Sequence, residues 1–155
     1  MDTTENLLHQ LFQTVRIISK GLNYCLEPYD LYSSEWSIIT TLKQTGPITQ
    51  GTLASYLNIE PPAVSRSLVK LEKKGFITRT PGLDKREKNV CLSAVALQQY
   101  SKWQEISGLH RQAILEALSE DDRNELTRLL KTIHQTAQQY EAGSSITNTF
   151  NINTL

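Results

Sequence analysis

The stretch "VSRSLVKLEKKGFITRTPGLDKREKNVCLS", residues 64–93, decides the fold because its hydrophobic period changes midway. Its first part has apolar residues at helical spacing, which predicts a helix over residues 61–74 that ends at Gly75. The segments "FITRT" and "KNVCLS" then alternate between apolar and polar residues, and the turn residues of "PGLDKRE" separate them. This pattern predicts a β-hairpin with a projecting tip directly after the helix.

The same stretch concentrates the positive charge of a neutral chain. The whole sequence has 16 Lys and Arg residues and 16 Asp and Glu residues. Eight of the 16 cations lie between positions 66 and 88, where only Glu72, Asp84 and Glu87 oppose them, so this part carries a charge of +5. A polyanionic partner such as double-stranded DNA would explain this segregation of charge. The eight cations are Arg66, Lys70, Lys73, Lys74, Arg79, Lys85, Arg86 and Lys88.

A helical wheel divides the predicted helix into two faces. Val64, Leu68 and Leu71 form a narrow apolar stripe, which we expect to be buried. The opposite face is cationic and has small residues near its N-terminal end, an arrangement that suits insertion into the major groove of DNA. The members of this face are Pro62, Ala63, Arg66, Lys70 and Lys73.

Each cation of this face has a predicted role. Arg66 is the candidate for a bidentate contact with guanine, whereas Lys70 and Lys73 are candidates for phosphate contacts. The alternative is that the face is an ordinary solvated helix surface. The hairpin favours DNA binding, because it adds a second cationic cluster where a second contact with the duplex would be expected. This cluster consists of Lys85, Arg86 and Lys88.

Apolar residues at steps of three and four predict further helices before this stretch. The first covers residues 5–26 and ends before Pro28, because the residue that precedes a proline is driven out of the helical conformation. A second helix has a serine cap near Ser33 or Ser34, and a short third helix ends near Asn58.

After the hairpin, a long helix is predicted from Ala94 to about Leu118, and Ser119 caps another one. The predicted fold class is therefore mainly α with a small β-hairpin wing, namely a winged helix-turn-helix with N- and C-terminal dimerisation helices. Those helices have longer apolar stripes than a winged-helix core of about 50 residues could cover, so we expect a homodimer. The alternative is a monomer whose helices fold back on their own core.

Length and composition restrict the remaining functional classes. A chain of 155 residues with 39% hydrophobic residues fits one soluble domain. The polar N-terminus does not resemble a signal peptide, and no apolar run reaches the roughly 20 residues of a membrane span. We therefore expect a cytoplasmic protein without membrane association, in which Cys25 and Cys91 are thiols.

The sequence lacks a recognisable catalytic or cofactor-binding motif. It contains neither a glycine-rich phosphate loop nor a nucleophile elbow. His9, His110 and His134 fall on three different predicted helices and do not have the spacing of metal ligands. We therefore expect no enzymatic activity, no cofactor and no metal site.

Two segments, "LASYLNIEPPAVSRSLVKLEKKGFITR" (residues 53–79) and "DKREKNVCLS" (residues 84–93), resemble the MarR (multiple antibiotic resistance regulator) family of bacterial transcription regulators. The first resembles the helix-turn-helix of the family. The second resembles its wing pattern, in which Asp-x-Arg precedes an apolar residue and Leu-Thr or Leu-Ser. The resemblance covers residues 5–141 in element order and is sharp only over residues 48–93.

The resemblance implies a single MarR-type winged helix-turn-helix domain over residues 1–141. Residues 142–155 are polar and poor in charge, which predicts a flexible C-terminal tail. The family also implies an obligate homodimer that binds a pseudo-palindromic operator as a repressor and is released by a small-molecule effector. The expected parts are a helix-turn-helix at about 50–74, a wing at about 76–93 and dimerisation helices at about 5–26 and 94–141.

The resemblance also assigns roles to single residues. Arg86 would enter the minor groove, and Asp84 would fix the wing by pairing with a nearby arginine. Thr49 and Gln50 would approach phosphates. The recognition helix would present Pro62, Ala63, Ser65, Arg66 and Lys70. Glu60 departs from the pattern, because it is a poor residue to cap that helix.

Many members of the family release DNA when a small anionic or aromatic effector binds between the dimerisation helices and the winged domain. The residues that could line such a pocket are Arg16, Tyr24, Tyr29, Trp36 and Trp103. The alternative is that the aromatic residues among them belong to an ordinary core or interface. For the whole protein, the alternative function is a winged-helix protein-interaction module without sequence-specific DNA binding.

Overall fold

The computed structural model describes residues 3–84 and 86–141. Within them, the structure is mainly helical with a small antiparallel sheet, which confirms the predicted fold class. None of the helices in this part of the chain combines the length and apolar character needed to cross a membrane. Lys85 and the predicted tail, residues 142–155, lie outside the described residues. The elements are α1 (Thr3–Leu26), a 3-10 turn (Glu27–Tyr29), α2 (Ser33–Thr45), β1 (Ile48–Thr49), α3 (Gln50–Leu57), α4 (Pro61–Lys73), β2 (Ile77–Pro81), β3 (Lys88–Leu92), α5 (Ala94–Leu115) and α6 (Glu120–Glu141).

The start of α2 differs from the predicted serine cap. Tyr32 occupies the capping position, and Ser33 and Ser34 are the first helical residues. The Glu35 carboxylate accepts a hydrogen bond from the Tyr32 main-chain N–H at 3.0 Å. Asn23 of α1 accepts one from the Ser33 N–H at 2.6 Å. Two N–H groups at this helix end are therefore satisfied by the side chains of Glu35 and Asn23, without a serine cap.

Two other features of the secondary structure differ from the prediction, namely the end of α5 and the number of strands. The helix α5 ends at Leu115, before the predicted Leu118. The sheet has a third strand, β1, which pairs antiparallel with β3 through Ile48 and Val90. A strand of two residues is too short to show an alternating pattern, so periodicity could not reveal it.

The three strands lie in the order β1-β3-β2, with β3 in the centre. The ladder between β2 and β3 runs from the pair Ile77–Leu92 to the pair Pro81–Lys88. Because β1 directly precedes α3, the sheet connects the hairpin to the helix-turn-helix at two places. The hairpin is therefore connected to the helices both through the chain after α4 and through the pairing of β3 with β1.

The described residues up to position 112 form one compact unit, and those from position 113 form a second. In the first unit, the apolar stripe predicted on α4 is buried: Val64, Leu68 and Leu71 are all at most 1% exposed. Trp103 of α5 closes this core. Its ring lies edge-on to that of Phe76, with centroids 4.9 Å apart.

The surfaces of α1 and α6 are rich in exposed apolar side chains, although an isolated soluble chain would be expected to bury them. Within the described residues, no side chain of α6 is buried. The exposed apolar residues of α1 are Leu7, Leu8, Phe12, Val15, Ile17 and Tyr24. Those of α6 are Leu126, Leu129, Leu130, Ile133 and Tyr140.

Candidate nucleic-acid interface

The helix-turn-helix consists of α3, α4 and the short connection between them. Thr49 caps α3, because its hydroxyl oxygen accepts a hydrogen bond from the Thr52 N–H at 3.1 Å. Asn58 ends the helix in the left-handed conformation, with φ of 52°. Glu60 is the residue before α4, and its side chain makes no capping hydrogen bond, as expected for a poor cap. Pro61 starts the helix, where its missing N–H costs nothing.

The exposed face of α4 collects the residues that the sequence predicted for the major groove. Arg66, Lys70 and Lys73 are all exposed. No hydrogen bond or ion pair joins their side chains to another residue in the described part of the chain. Among the described residues, three exposed cationic groups of α4 therefore have no hydrogen-bond or ion-pair partner. Pro62 on the same helix is exposed, while Ala63 and Ser65 are partly buried.

Two cations of the charged stretch do not belong to this surface, which corrects the simple count of eight. Lys74 turns inward: its Nζ donates to both carboxylate oxygens of Glu35, at 2.8 and 2.9 Å, and to the main-chain oxygen of Asp30 at 2.7 Å. Arg79 of β2 pairs with Glu72 of α4, with 3.4 Å between Nε and Oε2. Both cations neutralise acids that fold next to them, and the sequence order alone does not show this.

The Glu35–Lys74 pair is the most buried ion pair among the described residues, since the side chain of Glu35 is 2% exposed and that of Lys74 is 15% exposed. The Lys74 ammonium also lies 5.2 Å from the centre of the Tyr32 ring. Because Lys74 directly follows α4 and Glu35 lies in the first turn of α2, the pair fixes the C-terminal end of the candidate recognition helix.

The tip of the hairpin connects β2 to β3. The Gly82 N–H donates to the Glu87 oxygen at 2.9 Å, and the Glu87 N–H donates to the Asp84 main-chain oxygen at 3.0 Å. A Cβ atom at position 82 would lie 2.9 Å from the Glu87 oxygen, so only glycine fits there. These contacts join the two ends of the tip, at Gly82 and Glu87, and link Glu87 to Asp84.

Asp84 orders the tip, but in a different way from that expected. Its Oδ1 accepts a hydrogen bond from the main-chain N–H of Arg86 at 3.0 Å, and no ion pair with an arginine side chain is found among the described residues. A short turn of this kind is typical of aspartate. The guanidinium of Arg86 consequently stays free, and both Arg86 and Lys88 are exposed.

Two apolar residues on this surface were missed by the sequence analysis. Val69 is 44% exposed on α4, between Arg66 and Lys73. Leu83 is fully exposed at the hairpin tip, at 111% of its reference area. The wheel could have identified Val69, since it lies about 140° from Val64 at 100° per residue and hence outside the buried stripe. The sequence could also have drawn attention to Leu83, because it is an apolar residue within the turn segment "PGLDKRE".

The residues predicted for an effector pocket do not come together within this chain. Trp103 is completely buried, and Trp36 packs against it with ring centroids 6.5 Å apart. Tyr29 packs on the same core. Tyr24 is 79% exposed, and Arg16 is also exposed, both on α1. The structure therefore favours the alternative for the two tryptophans, which are core residues.

A different polar cavity of about 210 Å³ lies between α1, α2 and α4. It is adjacent to the buried Glu35–Lys74 pair, and Lys70 extends into its lining from α4. The lining residues are Asn23, Tyr32, Ser33, Ser34, Glu35, Ser67 and Lys70.

The cysteines and histidines form no metal site in the part of the chain that the structure describes, where no three potential ligands come together. Cys25 and Cys91 are partly buried free thiols. The sulfur of Cys91 lies 3.2 Å from the Thr78 hydroxyl on the neighbouring strand. Cys91 is thus a half-buried residue of β3.

Comparison with known proteins identifies this arrangement. The model of the MarR family matches residues 31–88, which extend from the start of α2 to the end of the hairpin tip. The uncharacterized HTH-type transcriptional regulator YwoH of Bacillus subtilis (strain 168) is 45% identical over 97 residues, which are 63% of this chain and 71% of that protein. The chain belongs to the MarR family. As a member of this family, it is a transcriptional regulator.

Solved structures agree with the MarR-family fold. A mutant MarR from E. coli, complexed with operator DNA, is 25% identical, with a TM-score of 0.77 over 86% of this chain and 99% of that one. The organohalide-sensing regulator RdhR, in its ligand-free form, is 23% identical, with a TM-score of 0.84 over 90% of this chain and 84% of that one. RdhR has also been solved in a form bound to 2,4-dichlorophenol, with the same TM-score.

Proposed function

We propose that this MarR-family regulator binds a pseudo-palindromic operator in double-stranded DNA as a homodimer and represses transcription by blocking RNA polymerase. The observation that carries the proposal is the unpaired cationic face of α4, with Arg66, Lys70 and Lys73, next to a hairpin that exposes Arg86. The E. coli MarR complex supports it, since that relative holds operator DNA. The two half-sites would lie about one helical turn apart.

In the proposed complex, α4 enters the major groove. Arg66 donates in bidentate fashion to guanine, and Lys70 and Lys73 hold phosphates. Pro62, Ala63 and Ser65 are small enough to let the start of α4 approach the base edges. Thr49 and Gln50 begin α3, and the free N–H groups of that helix end favour a phosphate near them.

The hairpin would reach the adjacent minor groove. Strands of five residues carry its tip roughly 15 Å from their base, which is enough to cross the phosphate backbone beside the major groove. Arg86 then lies in the minor groove, where its guanidinium meets the base acceptors, and Asp84 holds the main chain of that residue in place. Lys85 and Lys88 add charge next to the phosphates.

The dimer would be built by the terminal helices, at about 5–26 and 94–141, within a domain that covers residues 1–141. The exposed apolar residues of α1 and α6 support this proposal, because each helix presents more apolar surface than a soluble monomer normally leaves in water. A two-fold symmetric dimer also matches the symmetry of a pseudo-palindrome.

The proposal includes a small anionic or aromatic effector whose binding releases the DNA. It also places the regulator in the cytoplasm and assigns it no catalytic activity. Support for an effector comes from RdhR, a protein of the same fold that has been solved with 2,4-dichlorophenol. Arg16, Tyr24 and Tyr29 stay candidates for an effector site that a second subunit completes. Membership of a regulator family supports the absence of catalysis.

The test is to select duplexes from a random library with the purified protein and then titrate the best duplex beside a scrambled one at two salt concentrations. We expect tight binding to the selected duplex, weaker binding to the scrambled one, and a loss of affinity with salt for both. Equal affinity for the two duplexes would contradict the proposal and favour the protein-interaction module.

A further inference from the structure

Leu83 is the most exposed large apolar residue among those that the structure describes. It lies at the hairpin tip, between Gly82 and Asp84, so its two neighbours in sequence offer no apolar side chain that could cover it. Leucine in a turn is unusual, because turn positions generally hold Gly, Pro, Asn, Asp or Ser. An apolar side chain held in water at the end of a projection is suited to contact with another molecule.

The main-chain conformation of the tip keeps Leu83 outward. Hydrogen bonds from Gly82 to Glu87 and from Glu87 to Asp84 close the turn around it, and Asp84 also binds the Arg86 N–H. Leu83 and Arg86 therefore belong to one small ordered unit. One exposed apolar side chain and one exposed cationic side chain are therefore only three residues apart at the same tip.

The charge around Leu83 indicates what it would contact. Arg86 and Lys88 are exposed cations of the same hairpin, and they would attract a polyanion. A protein partner with a purely apolar pocket would have to desolvate these cations, whereas the minor groove of DNA accepts both kinds of side chain. Minor-groove proteins combine Arg or Lys with apolar residues in this way.

We propose that Leu83 enters the minor groove beside Arg86 and makes the regulator prefer A·T pairs at that position. The inference rests on the proposed function, since it requires the hairpin to reach the minor groove. In that groove only the N2 amino group of guanine distinguishes G·C from A·T pairs. Leucine offers no acceptor, so an amino group covered by it would lose its hydrogen bond to water without replacement.

The experiment uses the full chain and three versions of the selected duplex, with A·T, G·C or inosine·C pairs where the tip contacts the flank. Inosine lacks the N2 amino group and otherwise presents the same edge as guanine. For the unmodified protein we expect G·C to weaken binding about 10-fold and inosine·C to restore it. The variant Leu83→Ala should bind all three within about 2-fold of each other and about 10-fold more weakly than the unmodified protein binds A·T.

The salt dependence of DNA affinity distinguishes the apolar contribution of Leu83 from the electrostatic contribution of Arg86. Leu83→Ala should leave the slope of log affinity against log salt unchanged, because no phosphate contact is lost. Arg86→Ala should lower that slope by about one per subunit. Leu83→Met is the matched control, since it keeps an apolar side chain of similar volume and should retain the discrimination between A·T and G·C.

The outcomes are distinguishable. If the unmodified protein selects no duplex, the proposed function fails and the inference with it. If the protein binds its duplex selectively but Leu83→Ala behaves like the unmodified protein, only the inference is overturned. A variant that binds DNA normally but no longer represses would also overturn it, and would assign Leu83 to contact with another protein. Equal urea unfolding midpoints for the variants would verify that folding is intact.

Discussion

Among single residues, Arg66 has the most specific proposed role, because an exposed guanidinium on α4 is the group best able to make a bidentate contact with a base. We expect Arg66→Ala to cost roughly 1–3 kcal/mol of binding free energy and to relax the preference at one base pair. The matched control is Arg66→Lys, which keeps the charge but not the planar fork, and so should retain the salt slope while losing specificity. Titrations against the selected and scrambled duplexes measure both effects, and an unchanged base preference in both variants would contradict the assignment.

Glu35 and Lys74 have a structural role that their sequence positions conceal. Removing the charge of Glu35 leaves the largely buried ammonium of Lys74 with one ion-pair partner, the exposed carboxylate of Asp30 at 3.5 Å. We expect Glu35→Gln to lower the free energy of unfolding by about 3 kcal/mol, measured by urea denaturation, and a second substitution, Lys74→Met, to recover part of the loss. The control is Glu125→Gln on α6, where both partners of the ion pair are exposed and stability should not change.

At the level of the elements, the junction between α4 and the hairpin depends on Gly75, which has φ of 76°. No atom would contact a Cβ there, so the cost of Gly75→Ala is confined to the main chain and should be roughly 1–2 kcal/mol of stability. Gly51 in α3 also has open space but no positive φ, so Gly51→Ala should be neutral or stabilise by up to about 1 kcal/mol. Thermal unfolding of the two variants tests this, and a similar effect of both would refute it.

The elements also show how far a sequence can be interpreted. Helical periodicity identified the buried stripe of α4, and the change of period identified the hairpin, because each depends on neighbours in sequence. The strand β1, the Tyr32 cap and the inward course of Lys74 depend instead on residues far along the chain, such as Val90, Asn23 and Glu35. A pattern of neighbouring residues contains no information about those contacts, so they had to come from the structure.

The candidate site also has residues that the sequence could identify and residues that only the fold could place. The cations of α4 and Arg86 could be selected from the sequence, because exposure of a charged residue is the default for a helix face or turn. Of the predicted effector residues, Trp36 and Trp103 belong to the core, since aromatic residues occur in cores and pockets equally well and only the fold decides between the two. Trp103 is the clearest case, because it is completely buried beside Phe76.

For the whole molecule, the proposed dimer connects the terminal helices to DNA binding. Leu130 is exposed on the apolar face of α6, whereas Gln135 lies on the opposite side of that helix. Leu130→Asp would place a charge in the proposed dimer interface, so we expect the dissociation constant of the dimer to rise roughly 100-fold or more. Operator binding should then be lost, because a monomer contacts only one half-site and binds it weakly. Gln135→Asp also introduces an aspartate into α6, and it should leave the dissociation constant of the dimer and the affinity for the operator unchanged.

Analytical ultracentrifugation and duplex titration, on the same samples, measure the two effects of Leu130→Asp. A variant that stays dimeric would show that α6 does not form the interface. A variant that becomes monomeric but binds the operator with undiminished affinity would show that dimerisation and recognition are independent.

The ladder between β2 and β3 has a consequence for how such regulators diversify. Its last residue pair is Pro81–Lys88, and the main-chain hydrogen bond from the Gly82 N–H to the Glu87 oxygen follows directly, so the framework of the hairpin is complete before the residues beyond Gly82 begin. Beyond Gly82, the described tip residues are exposed, and their side chains support nothing that is buried. Under the proposed function, mutations there other than at Asp84, which orders the turn, can change the DNA preference without loss of stability, and a tip of equal length grafted from a relative should bring its own preference with it.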